Sequence, residues 1–156
     1  MPKTRGQELI YGVLMTFFMV LAMELYNTAR RAGELTYAAV PAALWEMRMM
    51  FPICFVMGFC LIDRLAPKIA ARMARPGVDP PVLVTTVRAC VTVAFMCPIM
   101  SAWAVLIFQR PGLNFLPAWL QTAACNFPMA FFWQVFFCGP LVRFLFRRLF
   151  PGARTA

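Results

Sequence analysis

Glu24, Glu46, Ser101, Thr122, Asn126 and Gln134 set polar side chains among apolar neighbours, and Arg48 adds a cation close to Glu46 in the sequence. Ionisable groups in such surroundings are functional candidates by default, because burying a charge in hydrocarbon is costly. Two acids facing one interior can bind a cation or relay protons, and hydroxyl and amide oxygens can complete the shell of a small cation or polar metabolite. These seven residues form the candidate interior polar set. Glu24 and Glu46 are both expected near an outer membrane boundary, where headgroup depth and a guanidinium from Arg48, Arg30 or Arg31 would neutralise them. Among these cations, Arg48 is the expected partner of Glu24 across a helical hairpin.

Other chemistries lack their parts. The chain has no histidine to serve as a general base, no Gly-rich phosphate cradle, and no nucleophile beside an activating partner, so a non-enzymatic protein without a cofactor is expected. Six cysteines, Cys54, Cys60, Cys90, Cys97, Cys125 and Cys138, fall inside apolar runs and form no C-x-x-C pair, which points to small buried hydrophobes rather than a disulfide framework. Met15, Met19 and Met23, then Met96 and Met100, recur every four residues. Thioether rows suit Cu(I), but a chain with 12 methionines makes that spacing often, and no metal site is expected.

The elements that position these residues follow from composition. At 62% hydrophobic, 13% charged and a mean hydropathy of +0.72, the chain is far more apolar than soluble domains, where roughly half of residues are apolar and about a quarter charged. It is an all-α membrane protein by this measure. Four spans are predicted, at Leu9 to Tyr26, Pro41 to about Leu65, Val82 or Ala89 to Phe108, and Phe115 to Val142, each near the ~20 residues that cross a bilayer. Breaker clusters separate them at residues 75–81 and 110–112. The first run is too long for a signal-peptide core, and no clean cleavage site follows it. One membrane domain, 1–156, leaves no room for a soluble one.

The sequence repeats itself. Phe18-Met19-x-x-x-Met23-Glu24-x-Tyr26 matches Phe95-Met96-x-x-x-Met100-Ser101-x-Trp103, and Pro41-Ala42-x-Leu44 with Phe51-Pro52 matches Pro117-Ala118-x-Leu120 with Phe127-Pro128 at the same internal spacing. Two hairpins, 7–75 and 82–150, are therefore expected in one orientation, related by an axis along the membrane normal. Small residues Cys90, Ala94, Cys97, Ser101 and Ala104 line one seam of span three, and spans one and three are expected to meet there. The ridge Ala118, Thr122, Asn126, Ala130 of span four and its counterpart Ala42, Glu46, Met50, Cys54 of span two are expected to face the interior. Pro52, Pro98 and Pro128 permit kinks within spans.

Met100-Ser101, Arg110-Pro111-Gly112-Leu113-Asn114-Phe115, Trp119, Phe127-Pro128-Met129-Ala130-Phe131 and Gly139-Pro140-Leu141-Val142-Arg143 resemble the bacterial membrane-protein family catalogued as domain of unknown function 2798. The second half matches better, since Glu24 replaces the serine in the first. The resemblance implies small helical membrane proteins of one or two hairpins, and no activity.

Charge supplies an orientation. The net charge of +9 would suit nucleic acid only on a water-exposed basic face, which so apolar a chain cannot offer. Lys3, Arg5, Arg64, Lys68, Arg72, Arg75, Arg88, Arg143, Arg147, Arg148 and Arg154 fall at the termini and middle loop, whereas the other two loops hold Arg30, Arg31 and Arg110. The positive-inside rule then makes both termini cytoplasmic in a bacterial inner membrane, with anionic lipid against that face. Tyr11, Tyr26, Tyr37, Trp45, Trp103 and Trp119 are expected as interface anchors, and Phe131-Phe132-Trp133 with Phe136-Phe137 as lipid-facing bulk. The leading function is a structural or interaction partner in the membrane, as a homo-oligomer or with another membrane protein. The alternative is a small carrier using the interior polar set.

Overall fold

The computed structural model describes residues 5–75, 77–110 and 112–150, so Lys3, Arg154 and the loop prolines Pro76 and Pro111 lie outside the described residues. Within them every regular element is helical: α1 (Arg5–Ala32), α2 (Ala39–Met57), α3 (Asp63–Met73), α4 (Pro81–Ala104), α5 (Phe115–Phe132) and α6 (Gly139–Leu149). A π-helical turn at Gly58–Ile62 fuses α2 to α3, another at Trp133–Cys138 fuses α5 to α6, and a third at Val105–Gln109 extends α4. Four continuous rods result, each long and apolar enough to cross a membrane.

The ends follow local chemistry. Pro81 opens α4, where its missing N–H would have no helical partner. After α1, Gly33 takes φ +85°, a left-handed conformation that a Cβ disfavours and that reverses the chain. Gly77 does the same at φ +88° in the middle loop, where the Arg75 N–H donates to Asp79 Oδ2 at 2.6 Å. The rods overrun the predicted spans. α1 continues six residues past Tyr26 to Ala32, and the last rod passes Val142 to reach Leu149.

The rods stand in a square. α1 packs on α2, α4 on α5, α3 and α2 on α4, and α1 on the α5–α6 rod, while α1 and α4 occupy one diagonal. The contacts are matched in the two halves, α1 packing on α2 as α4 packs on α5, and α1 on α5 as α4 on α2. Burial is matched as well: Met50, Ile62, Ala66 and Ala70 are buried, as are their sequence counterparts Asn126, Cys138, Val142 and Phe146. This arrangement corrects the expected direct seam between spans one and three. Cys97, Ser101 and Ala104 are buried but Ala94 is exposed, because the two rods carrying the matched Met rows sit corner to corner. They communicate through long side chains, with Met19 and Met23 packed against Val93, Cys97 and Ala130.

Thr122, Asn126, Ala130, Gln134, Cys138, Val142 and Phe146 are all buried at a strict spacing of four. In an ideal α-helix each such step overshoots a full turn by about 40°, and the stripe would wind off the interface. The wider π turn at Trp133–Cys138 takes up part of that drift and returns the stripe to its neighbours. Here the Trp133 indole N–H donates to the Phe18 carbonyl at 3.2 Å, and Cys138 lies against Met15. An added Cβ on Gly139 would stand 2.8 Å from the Gln134 carbonyl oxygen, so a larger residue there would require the π turn to shift.

Candidate functional site

The polar interior gathers at one end of the bundle, the end holding the turns within each hairpin. Val20, Glu24, Asn27, Thr28 and Arg31 follow helical spacing on α1 and set one stripe toward α2 and α4. The lower part of this stripe is apolar, with Val20 clustered with Met50 and Ala104. Above it Glu24, Asn27 and Thr28 are all buried, Glu24 being only 4% exposed.

Arg31 closes the stripe. Its Nη2 lies 2.5 Å from both carboxylate oxygens of Glu46 on α2 and donates to Thr28 Oγ1 at 3.4 Å, and its Cζ sits 5.7 Å above the centre of the Phe108 ring. Glu24 is an immediate neighbour of Glu46, with the Arg31 guanidinium and the Cys54 thiol also close. The guanidinium thus bonds Glu46, with Glu24 near the pair. Oε2 of Glu24 and Oδ1 of Asn27 meet no hydrogen-bond donor among the described residues.

α4 and α5 complete this end. Asn126 Nδ2 donates to Ser101 Oγ at 3.3 Å, Gln109 Nε2 donates to Thr122 Oγ1 at 3.3 Å, and the Tyr26 hydroxyl donates to the Cys125 carbonyl at 3.2 Å. That carbonyl lies in the turn that Pro128 loosens by removing a backbone donor. An open cleft of about 710 Å³, lined by Arg30, Arg31, Phe108, Gln109, Gln121, Thr122 and Cys125, adjoins the layer.

The seven sequence candidates divide. Glu24, Ser101, Thr122 and Asn126 are buried in this end, and Glu46 joins them with its side chain 15% exposed. Gln134 is buried but belongs to the π turn, away from the cluster. Arg48 is exposed, with its guanidinium 5.0 Å from the Trp45 ring centre. The expected Glu24–Arg48 pair is therefore corrected to Arg31–Glu46 with Glu24 beside it. Arg48 is only two positions from Glu46, about 200° around the helix, so the two residues point to opposite sides of α2. The expectation that Glu24 lies within a turn of the helix end is also corrected, because α1 extends to Ala32 and leaves Glu24 more than two turns inside the helix.

Sequence reasoning missed Asn27, Thr28, Gln109 and Gln121, and gave Arg31 only a supporting role. The first three fall at a loop or span edge in the predicted spans. Their signal was the spacing of residues 20, 24, 27 and 31, which continues the helix beyond the apolar run. Among the expected anchors, Tyr37 and Trp45 are exposed, whereas Tyr26 and Trp119 donate inward, Trp119 to the Pro98 carbonyl at 2.8 Å. Of the aromatic run, Phe132, Phe136 and Phe137 face outward, and Phe131 and Trp133 are half-buried.

The family model described as "Domain of unknown function (DUF2798)" matches residues 4–74 and 84–150, nearly all of the chain. The chain belongs to this family. Each matched segment holds one of the two hairpins. A similar protein, the "Uncharacterized protein YybC" of Bacillus subtilis (strain 168), is 28% identical over 159 residues, covering 100% of this chain and 99% of the relative. No solved structure matches the chain significantly. As a family member the chain is an all-helical membrane protein of four transmembrane helices in two hairpins.

Proposed function

We propose that this family member is a non-enzymatic integral protein of the bacterial inner membrane, acting as a structural or interaction partner of membrane proteins, itself included. The observation that carries this reading is the apolar layer beneath the polar end. Met19, Met23, Val93, Cys97, Ala130 and Phe131 pack together across the bundle, so the described polar side chains do not form a continuous path between the two ends. A carrier would need such a path in some state, and a rearrangement that opens it would have to break this packing. The absence of histidine from the chain and the neutral, hydrogen-bonded setting of Ser101 and Thr122 favour a non-enzyme.

The same proposal includes the origin and orientation of the chain. The matched motifs and matched burial support a tandem duplication. Exposed Arg64, Lys68, Arg72, Arg75, Arg147 and Arg148 at the end shared by the termini and middle loop support cytoplasmic termini facing anionic lipid. The test is reconstitution into liposomes beside a chemical cross-linking series in the native membrane. The reading expects no protein-dependent flux of alkali cations or polar metabolites and a discrete cross-linked band that persists in mild detergent. Protein-dependent flux would overturn it.

A further inference from the structure

We propose that the open cleft between the end of α1, the π turn that extends α4, and α5 binds one phosphate-type oxyanion through Arg30. The cleft measures about 710 Å³, inside the range of roughly 300–1,000 Å³ that small-molecule sites occupy. Its lining holds two guanidinium groups, Arg30 and Arg31, and no carboxylate, since neither Glu24 nor Glu46 is part of its wall. The two cations differ. Arg31 is bonded to Glu46 and Thr28, whereas the half-buried Arg30 makes no ion pair, hydrogen bond or ring contact among the described residues. Glu34, one helical turn further along the chain, is exposed and forms no pair with it. Arg30 stands in the last turn of α1, where the carbonyl end of the helix favours a cation without using up its N–H donors.

The rest of the lining adds donors from two other elements. Thr122 on α5, only 4% exposed, accepts from the Gln109 side chain and keeps its own hydroxyl hydrogen, and the Gln109 amide keeps its second N–H. The Gln121 amide makes no hydrogen bond among the described residues. An unpaired guanidinium, amide N–H groups and a hydroxyl therefore line one space that contains no acid to answer them. The arginine fork matches the oxygens of phosphate, and such charge-assisted hydrogen bonds are roughly twice as strong as neutral ones. A tetrahedral oxyanion also presents oxygens in several directions and can meet donors from three elements at once, which a planar carboxylate does less well. Arg31 is held by Glu46 and lies against the Phe108 ring, so part of the wall is fixed before a ligand arrives and less ordering is lost on binding. The same phosphate oxygens are offered by a phospholipid headgroup and by free phosphate. Binding here needs no path across the bundle, so it is independent of whether the chain serves as an interaction partner.

The test uses the full chain purified in an uncharged mild detergent. In one arm sodium phosphate is titrated against sodium chloride at constant ionic strength. In the other, phosphatidylglycerol is titrated against uncharged diacylglycerol in mixed micelles, and heat of binding and thermal unfolding are read in both. The expected result is saturable binding near one probe per chain in at least one arm, with a matching rise in unfolding temperature that the control does not give. A response to free phosphate shows that the oxyanion alone suffices, and a response to the phospholipid alone assigns the cleft to a lipid headgroup. Arg30→Gln removes the charge with no partner to orphan, so the unfolding temperature without ligand should stay unchanged while binding weakens at least about tenfold. Gln121→Ala is expected to weaken binding less. Arg48→Gln, on the exposed side of α2, and Arg147→Gln, at the opposite end of the bundle, should leave it unchanged. A wild-type protein that distinguishes neither probe from its control would overturn the proposal, as would binding that survives Arg30→Gln or that Arg147→Gln weakens equally.

Discussion

Arg31 on α1 holds Glu46 on α2 through a contact of 2.5 Å to both carboxylate oxygens, and this pair ties together the two helices of the first hairpin at the end where they turn. Because the Glu46 side chain is only 15% exposed, loss of Arg31 would leave its carboxylate largely shielded from water without a counter-charge. Arg31→Gln is therefore expected to destabilise the protein by about 1–3 kcal/mol, between the values for exposed and buried pairs. Arg48→Gln should stay within about 0.5 kcal/mol. Unfolding in graded denaturing detergent measures both, and equal effects would contradict the pairing.

Ser101 and Asn126 form a buried side-chain hydrogen bond between α4 and α5. Ser101→Ala and Asn126→Ala should each destabilise, and a double-mutant cycle should give a coupling of about 0.5–1.5 kcal/mol. Additive effects would mean that the two side chains act separately.

Gly139 and Gly58 both border π turns, but their surroundings differ. A Cβ at Gly139 meets a backbone oxygen at 2.8 Å, whereas one at Gly58 meets only the Met96 methyl carbon at 3.8 Å. Gly139→Ala is expected to cost about 1–3 kcal/mol as an overpacked site. Gly58→Ala should be neutral or slightly stabilising, since alanine favours helix. Thermal unfolding of the two variants in the same detergent checks the contrast.

Orientation can be read in living cells. Reporter fusions after Thr36 and after Ala156 should report opposite compartments, with the C-terminal fusion cytoplasmic. An active periplasmic reporter at Ala156 would reverse the proposed orientation. Replacing Arg64, Lys68, Arg72 and Arg75 by Gln should weaken the bias, because the rule counts basic residues flanking the spans.

The sequence by itself determined the four apolar rods, the two hairpins and the polar residues worth following, because hydrocarbon admits only backbone that satisfies its own hydrogen bonds and tolerates few charges. It also placed Thr122, Asn126 and Ala130 on one ridge, since that spacing is a property of one helix. What it could not determine were relations between helices. Pairing Glu24 with Arg48 rested on comparing depths along separate rods, and depth is indifferent to which way a side chain points around α2. Tertiary packing decided that Glu46 turns inward to Arg31 while Arg48 lies outside on Trp45. It likewise set α1 and α4 on a diagonal, because each of them had to pack on both second helices, and two helices at opposite corners of a square cannot share a seam. The contact of Arg31 with both Thr28 and Glu46 emerged only there, where residues a turn apart on α1 met an acid from α2.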